Sequence, residues 1–339
     1  MKKSALFIGG TGTISTAVVK RLVSSGEWEV WVLNRGNRVD VLPEGVHTII
    51  ADINDEEAVL EKLGDRVFDS VCEFIGFEKS QVERDVRLFR GRCRQYLYTS
   101  SASAYHKPCA DYRITEGTSL ANPYWEYSRN KIACEKLLMD LYRNEGFPVT
   151  IVRPSHTYDE RSVPLGVHGN GGSWQVVKRI KEGKPVIIHG DGTSLWTITH
   201  NSDFAKAYVG LIGNPKAIGE AFQITTDESV SWNEIYGAIA EALGVELKPY
   251  YVSSQTLVDM SSYDFLGSLI GDKSNSVVFD NSKVKALVPD FRAEVSAKEG
   301  IRMTVQNVLS HPEYQNEDKE FDEWCDRVIC TLENAKKGF

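Results

Sequence analysis

Apolar and polar positions alternate along the first 155 residues in two rhythms. Short apolar runs at Ser4 to Ile8, Glu29 to Leu33, Val46 to Ala51, Phe68 to Ile75, Gln95 to Thr99 and Val149 to Val152 read as strands. Between them apolar residues recur every three or four positions: Ala17, Val18 and Leu22, then Val59 and Leu63, then Val82, Val86 and Phe89. That spacing lays one apolar stripe along a helix. Asn54, with Glu57 three residues on, is the expected cap of the second helix, and the third ends near Gly91. Strands alternating with amphipathic helices build a parallel sheet covered on both faces. The pattern predicts an α/β fold, a Rossmann-type doubly wound sheet over residues 1–154.

Beyond Ser155 the rhythm loosens. A glycine-rich loop, Val167 to Ser173, precedes a helix carrying Trp174, Val177 and Ile180, and Val186 to His189 is strand-like. Ser202-Asp203 is expected to open a helix with Phe204, Ala207, Tyr208 and Leu211 inward, with Asp203 serving its end. Ser231-Trp232-Asn233-Glu234 is a capping box, followed by Ile235, Ile239 and Leu243 and a stop at Gly244. Residues 254–276 look irregular and are expected to form a lid; Gly300 to Leu309 and Glu320 to Leu332 read as closing helices. At 339 residues, against about 150 per domain, residues 155–339 are expected to form a smaller C-terminal α/β substrate domain. Some of its segments are expected to return to the first domain.

Hydrophobic residues make up 42% of the chain and charged residues 25%, which leaves an ordinary globular composition. A net charge of −8 argues against a protein that tracks nucleic-acid phosphates. Glycines at 9, 10 and 12 cut the first apolar run short, so it reads as a strand rather than a secretory leader. No run approaches the roughly 18 apolar residues of a membrane span. Six scattered cysteines, without a C-x-x-C pair or a histidine at zinc spacing, suggest reduced thiols in a cytoplasmic protein and no metal site.

Gly9-Gly10-Thr11-Gly12-Thr13-Ile14-Ser15 sits between the first strand and first helix, where a tight turn lets backbone approach a pyrophosphate at a helix N-terminus. Ser15 stands where a third glycine usually permits close packing. The second strand ends in Asn34-Arg35, about where an acidic residue would hold an adenosine ribose. Asn34 removes a carboxylate that would repel a 2′-phosphate and Arg35 could pair with one, so the cofactor is expected to be NADP or NAD, with a lean to NADP. Asp52 and Ile53, after the third strand, fall where an adenine edge would lie. Tyr127 and Lys131 are four apart, hence neighbours on one helix face, where an ammonium would favour the ionised phenol. Thr99-Ser100-Ser101-Ala102-Ser103 lies at the carboxyl end of the fifth strand, where ligands bind in parallel sheets.

Taken together, Gly9-Gly10-Thr11-Gly12, the serine-rich strand end, Tyr127-x-x-x-Lys131, Arg153-Pro154 and Gly190-Asp191-Gly192 leading to His200-x-x-Asp203 give a chain that resembles the extended short-chain dehydrogenases/reductases, the NAD-dependent epimerases and dehydratases. The turn and the Leu33-to-Gly36 strand end are similar to an atypical branch that includes the chloroplast stem-loop-binding proteins. The resemblance implies Tyr127 as general base or acid, and Lys131 holding the nicotinamide ribose and lowering the tyrosine pKa. It implies Ser101 bonding the reacting oxygen, Gly9, Gly12, Thr13 and Ile14 around the pyrophosphate, and Arg35 and Asp52 near the adenosine. It further implies a small-molecule substrate, a sugar or sugar derivative attacked at a hydroxyl or keto carbon, and a homodimer formed through helices that include the Tyr127 helix. Two departures matter. The Asp-Glu pair of the 4,6-dehydratases is replaced by Ala102-Ser103, and an arginine that grips a nucleoside diphosphate is replaced by Trp196. Ser103, His156 and Trp196 are the candidate substrate residues. The competing expectation is an RNA-binding or regulatory protein with little catalysis.

Overall fold

The computed structural model describes residues 2–38 and 41–338. Seven strands, β1 (Lys3–Ile8), β2 (Trp28–Asn34), β3 (His47–Ile50), β4 (Ser70–Glu73), β5 (Tyr96–Thr99), β6 (Val149–Pro154) and β7 (Ala221–Ile224), form one sheet in the order β7-β6-β5-β4-β1-β2-β3. Every adjacent pair is parallel. The chain winds outward from β1 through β2 to β3, then restarts on the other side of β1 at β4. That reversal opens a crevice at the carboxyl ends of β1 and β4.

Successive side chains of a strand point to opposite faces. Ala5 and Phe7 therefore pack with α1 (Thr13–Ser24), while Leu6 and Ile8 pack on the other face with α2 (Glu56–Leu63), α3 (Lys79–Phe89) and α4 (Glu126–Glu145). All four of these β1 residues are fully buried, which is why β1 reads as a continuous apolar run. Full burial of a Leu, Ile or Phe is worth about 1.5–3 kcal/mol each. The first face is completed by α5 (Asn201–Leu211) through Phe204 and Tyr208, and by Val284 and Phe291. The sheet thus draws its seventh strand and one covering helix from beyond residue 155. A third core is built from Trp174, Trp232, Tyr236, Ile301, Val305 and Trp324 of the later helices.

Three sequence expectations are corrected. Asp55, not Asn54, caps α2 by accepting from Ala58 N at 3.1 Å, because the Asn54 amide is already engaged with Asp52 and Arg84. α5 begins at Asn201 with His200 as its cap. Asp203 lies inside the first turn and accepts the Glu294 and Val295 N–H groups at 2.9 and 2.8 Å, tethering that loop. Residues 254–276 are not irregular: Ser254–Asp259 is a helix, and Leu266–Lys273 is a wide helix whose end bonds Ser274 N to Leu269 O. Gly267 and Gly271 disguised it, since glycine weakens any helical signal. Both are there for close approach: a Cβ at Gly267 would stand 2.1 Å from Trp125 Cδ1, and one at Gly271 would stand 3.1 Å from Tyr124 Cβ. The Ser231–Glu234 capping box forms as expected, and Gly244 ends that helix in the left-handed conformation.

Candidate active site

The glycine turn is shaped by contact on both sides. Gly9 has φ +80°, and a Cβ there would meet Ile75 at 2.4 Å. Ser15 is more than small: its hydroxyl accepts from Gly12 N at 2.9 Å and donates to Gly9 O at 2.7 Å, tying the turn to α1. The amides of Thr13 and Ile14 occupy the first turn of α1, where no upstream carbonyl satisfies them and the helix end is electropositive. Their side chains go elsewhere. Thr13 is held by Arg161 at Oγ1 and Asn201 at its carbonyl, and Ile14 packs into the core.

Beside the turn runs a groove of about 480 Å³, lined by Gly9, Gly12, Asn34, Arg35, Asp52 and Ile53, with Ile75 and Phe77. The structure therefore brings the expected adenosine-half residues together. Asn34 Oδ1 accepts from Gly36 N at 2.8 Å, whereas its Nδ2 is buried without a partner among the described residues. Ile75 and Phe77 are apolar yet 37% and 44% exposed. A left-handed glycine cradle, open amides, an orphaned amide donor and uncovered apolar side chains together fit a dinucleotide.

Tyr127 and Lys131 lie on α4. Lys131 is 1% exposed and donates to Gly76 O and Thr99 O, both at 2.8 Å; its nitrogen is 5.9 Å from the centre of the Tyr127 ring. The expected lowering of the tyrosine pKa by this lysine is corrected. Burial raises Tyr127 above its ordinary value, with the Ser101 hydroxyl pulling down and Asp272 adding to the rise. The Lys131 ammonium is occupied by backbone carbonyls, and burial pushes it down to about 8 against the pull of Cys134, Glu73 and Glu135. At neutral pH the phenol is protonated.

Ser101 belongs to a chain of hydroxyls. Ser128 donates to Ser103 at 2.8 Å, and Ser103 lies 2.9 Å from Ser101. A hydroxyl oxygen can accept twice, so either serine can donate in the bond between Ser103 and Ser101, and Ser101 Oγ also accepts Ser103 N–H at 3.2 Å. α4 is fixed behind this chain by Arg153, which grips Glu135 through two bonds of 2.9 and 2.6 Å and donates to Tyr105 Oη at 3.2 Å.

Ser101, Ser103, Tyr127, His156 and Trp196 line one cavity of about 240 Å³, so the structure unites them. His156 is held neutral, pushed down to about 3 by burial. Trp196 stacks on Trp232 at 5.8 Å, and its buried indole N–H has no partner among the described residues. Sequence reasoning missed Lys107, Trp125, Asp272 and Lys273 in this lining, as well as Ser128 and Arg161. Adjacent Asp272-Lys273 at the end of a small, apolar stretch was the available signal. Among the described residues no group of three or more His, Cys, Asp or Glu is placed to hold a metal, and no helix is long and apolar enough to cross a membrane.

Residues 5–225 match the model of the NAD dependent epimerase/dehydratase family. A 2'-dehydrokanamycin reductase of Streptomyces kanamyceticus is 24% identical over 288 residues, which cover 85% of this chain and 79% of that protein. The chloroplast stem-loop binding protein of 41 kDa b of Arabidopsis thaliana is 27% identical over 256 residues, 72% of this chain and 64% of that one. The dTDP-glucose 4,6-dehydratase of Bacillus anthracis, solved in complex with NAD, superimposes with a TM-score of 0.71 at 19% identity, covering 92% of this chain and 98% of that one. With the family model spanning well over half its length, a doubly wound parallel sheet and a glycine turn at the switch point, the chain belongs to the NAD-dependent epimerase/dehydratase family.

Proposed function

We propose that the protein is an NAD(P)-dependent oxidoreductase or epimerase acting on a hydroxyl or keto carbon of a sugar or sugar derivative. The observation that carries this is the meeting of the Tyr127 and Ser101 hydroxyls in one small cavity next to the dinucleotide-shaped groove. Gly9, Gly12 and the Thr13 and Ile14 amides would hold the pyrophosphate; Asn34, Arg35, Asp52 and Ile53 the adenosine half; Lys131 the nicotinamide ribose. The lean to NADP rests on Asn34 in place of a carboxylate and on the exposed Arg35 beside it. Residues 1–154, with the returning strand and helix, would serve the cofactor, and most of residues 155–339 the substrate.

When bound, the cofactor supplies or accepts the hydride. The chain's own residues handle the oxygen. Ser101 would donate its proton to the reacting oxygen. Tyr127, protonated at neutral pH, would give its proton to that oxygen as a carbonyl is reduced, and only in its phenolate form would it accept the hydroxyl proton as an alcohol is oxidised. Lys131 stays beneath as a cation. Ala102-Ser103 offers no acid for removing a neighbouring hydroxyl, so dehydration is not part of the proposal.

The test is Tyr127→Phe assayed for dinucleotide binding and for turnover over a panel of keto sugars. Turnover falls by about 10²–10⁴-fold while binding persists; a variant that turns over like wild type removes the mechanism. Likeness to the stem-loop binding protein motivates the second reading, RNA binding. Salt-sensitive binding of structured RNA, untouched by Tyr127→Phe, would favour it.

A further inference from the structure

Taking the substrate cavity of the proposed function as given, its charges go further than that reading does. Lys107 is almost fully buried, and its ammonium stands 3.8 Å from Asp272 Oδ1, a pair that neutralises itself. Lys273 lines the same cavity, and among the described residues no carboxylate lies within 4.0 Å of its nitrogen and no hydrogen bond is made by it. His156 adds no charge, since burial keeps it neutral. The lining thus holds two lysines against one carboxylate, with Asp264 the only further acidic group that favours the Lys273 cation against its burial among the described residues.

Its placement is fixed. Lys273 ends the wide helix Leu266–Lys273, and its carbonyl accepts from the His189 ring at 3.2 Å, the Trp232 indole at 3.1 Å and Ser194 at 3.4 Å. Two residues earlier, Gly271 O accepts from Asn122 Nδ2 at 2.7 Å. Wide turns of this kind cost helix geometry and recur at functional sites. Trp196 lines the same cavity, with the Lys107 ammonium 5.8 Å from its ring centre. A half-buried ammonium with no ion pair costs free energy, and an anionic ligand would satisfy it.

The cavity volume, about 240 Å³, lies below the roughly 300–1,000 Å³ of drug-sized sites. It suits a single sugar ring rather than a nucleotide. Trp125 and Tyr127, packed on each other with ring centres 5.0 Å apart, both line it. We propose that the substrate is a monosaccharide bearing one anionic group, a carboxylate or a phosphate, which pairs with Lys273 while the reacting carbon faces Tyr127.

Because Trp125 and Trp196 line the cavity, tryptophan fluorescence reports binding without turnover. The probes are D-glucuronate, D-glucose 6-phosphate, D-glucose and D-glucosamine, titrated into the whole protein loaded with NADPH. One of the two anions binds about tenfold or more tighter than glucose, as expected for a hydrogen bond to a charged group. Glucosamine binds weakest. Whichever anion wins identifies carboxylate or phosphate. Lys273→Met, checked for an unchanged melting temperature, erases the preference, and Lys273→Arg keeps most of it. Equal binding of all four sugars, a preference for glucosamine, no binding of either anion at millimolar concentration, or a preference that survives Lys273→Met would overturn the proposal. Failure of the oxidoreductase reading shows separately, as a protein that does not bind the dinucleotide or a Tyr127→Phe variant with full turnover.

Discussion

At the residue scale, the Tyr127–Lys131 pair and Ser101 were legible because each is local: four residues is one helical turn, and a serine run at a strand end marks the crevice. Ser128 was not legible, because its partner Ser103 is 25 positions away and meets it through the fold. It has a distinct task. Ser128 donates to the Ser103 oxygen and so anchors the hydroxyl that bonds Ser101. Ser128→Ala removes that anchor and loosens the hydroxyl that positions Ser101. The expected result is a fall in kcat of about tenfold with KM little changed, and Ser128→Thr restores part of it. Steady-state kinetics on the best keto sugar decide this; an unchanged kcat would reduce Ser128 to packing.

Lys131 gives a pH dependence of its own. It is protonated below about 8 and loses its charge above that. A neutral amine is the weaker donor to ribose oxygens, so dinucleotide affinity should drop several-fold as pH rises through about 8. Lys131→Met should bind weakly with no such step. Quenching titrations from pH 6 to 9.5 test both arms.

At the scale of elements, alternating periodicity was enough to give the parallel sheet. The strand ends were harder to read: β4 covers Ser70–Glu73 where the apolar run extended from Phe68 to Ile75. What periodicity cannot show is how one element holds another. The Arg153–Glu135 pair, 5% and 3% exposed, joins β6 to α4 and so sets the height of Tyr127 and Lys131. Glu135→Ala leaves a buried guanidinium unpaired and should cost about 3–5 kcal/mol in urea unfolding.

Glu73, at the end of β4, predicts the opposite sign. It is fully buried, and burial together with neighbouring Asp85 holds its carboxyl well above the ordinary range; Asp85 is itself bound by Arg84 and Tyr96. In the unfolded chain Glu73 ionises near 4.3, whereas in the folded protein it keeps its proton. The folded state then binds more protons, and stability is lost as pH rises above that value. Glu73→Gln cannot ionise and preserves the acceptor for Ile75 N–H. It should match wild type in melting temperature near pH 4 and exceed it increasingly by pH 8. A constant difference across that range would mean that Glu73 is ionised in the fold.

On the scale of the whole molecule, the sheet and its crevice were readable from the order of elements, whereas the substrate cavity was not. Its lining gathers Lys107, Trp125, His156, Trp196 and Lys273 from five separated segments, and no local pattern announces such a meeting. The crevice offers a test of the architecture that needs no substrate. A ligand that binds the folded state alone stabilises it by about 2.7 kcal/mol at a hundred times its Kd. For 339 residues, with an unfolding entropy of about 2.1 cal/mol/K per residue, that amounts to a rise of about 4 °C in Tm. Gly12→Ala separates binding from folding. Gly12 has φ −82°, which alanine adopts freely, and an added Cβ meets nothing closer than Ser15 Oγ at 3.4 Å. The unliganded melting temperature should therefore stay within about 1 °C of wild type, the scale of a surface substitution. The added methyl nevertheless stands on the groove wall where backbone must approach a pyrophosphate, so the ligand-induced rise should vanish. Calorimetry of both proteins with NADPH and with NADH, each at a hundred times its wild-type Kd, measures this. A full rise in Gly12→Ala would show that the dinucleotide does not reach the glycine turn, and the placement of the cofactor against β1 and α1 would have to be given up.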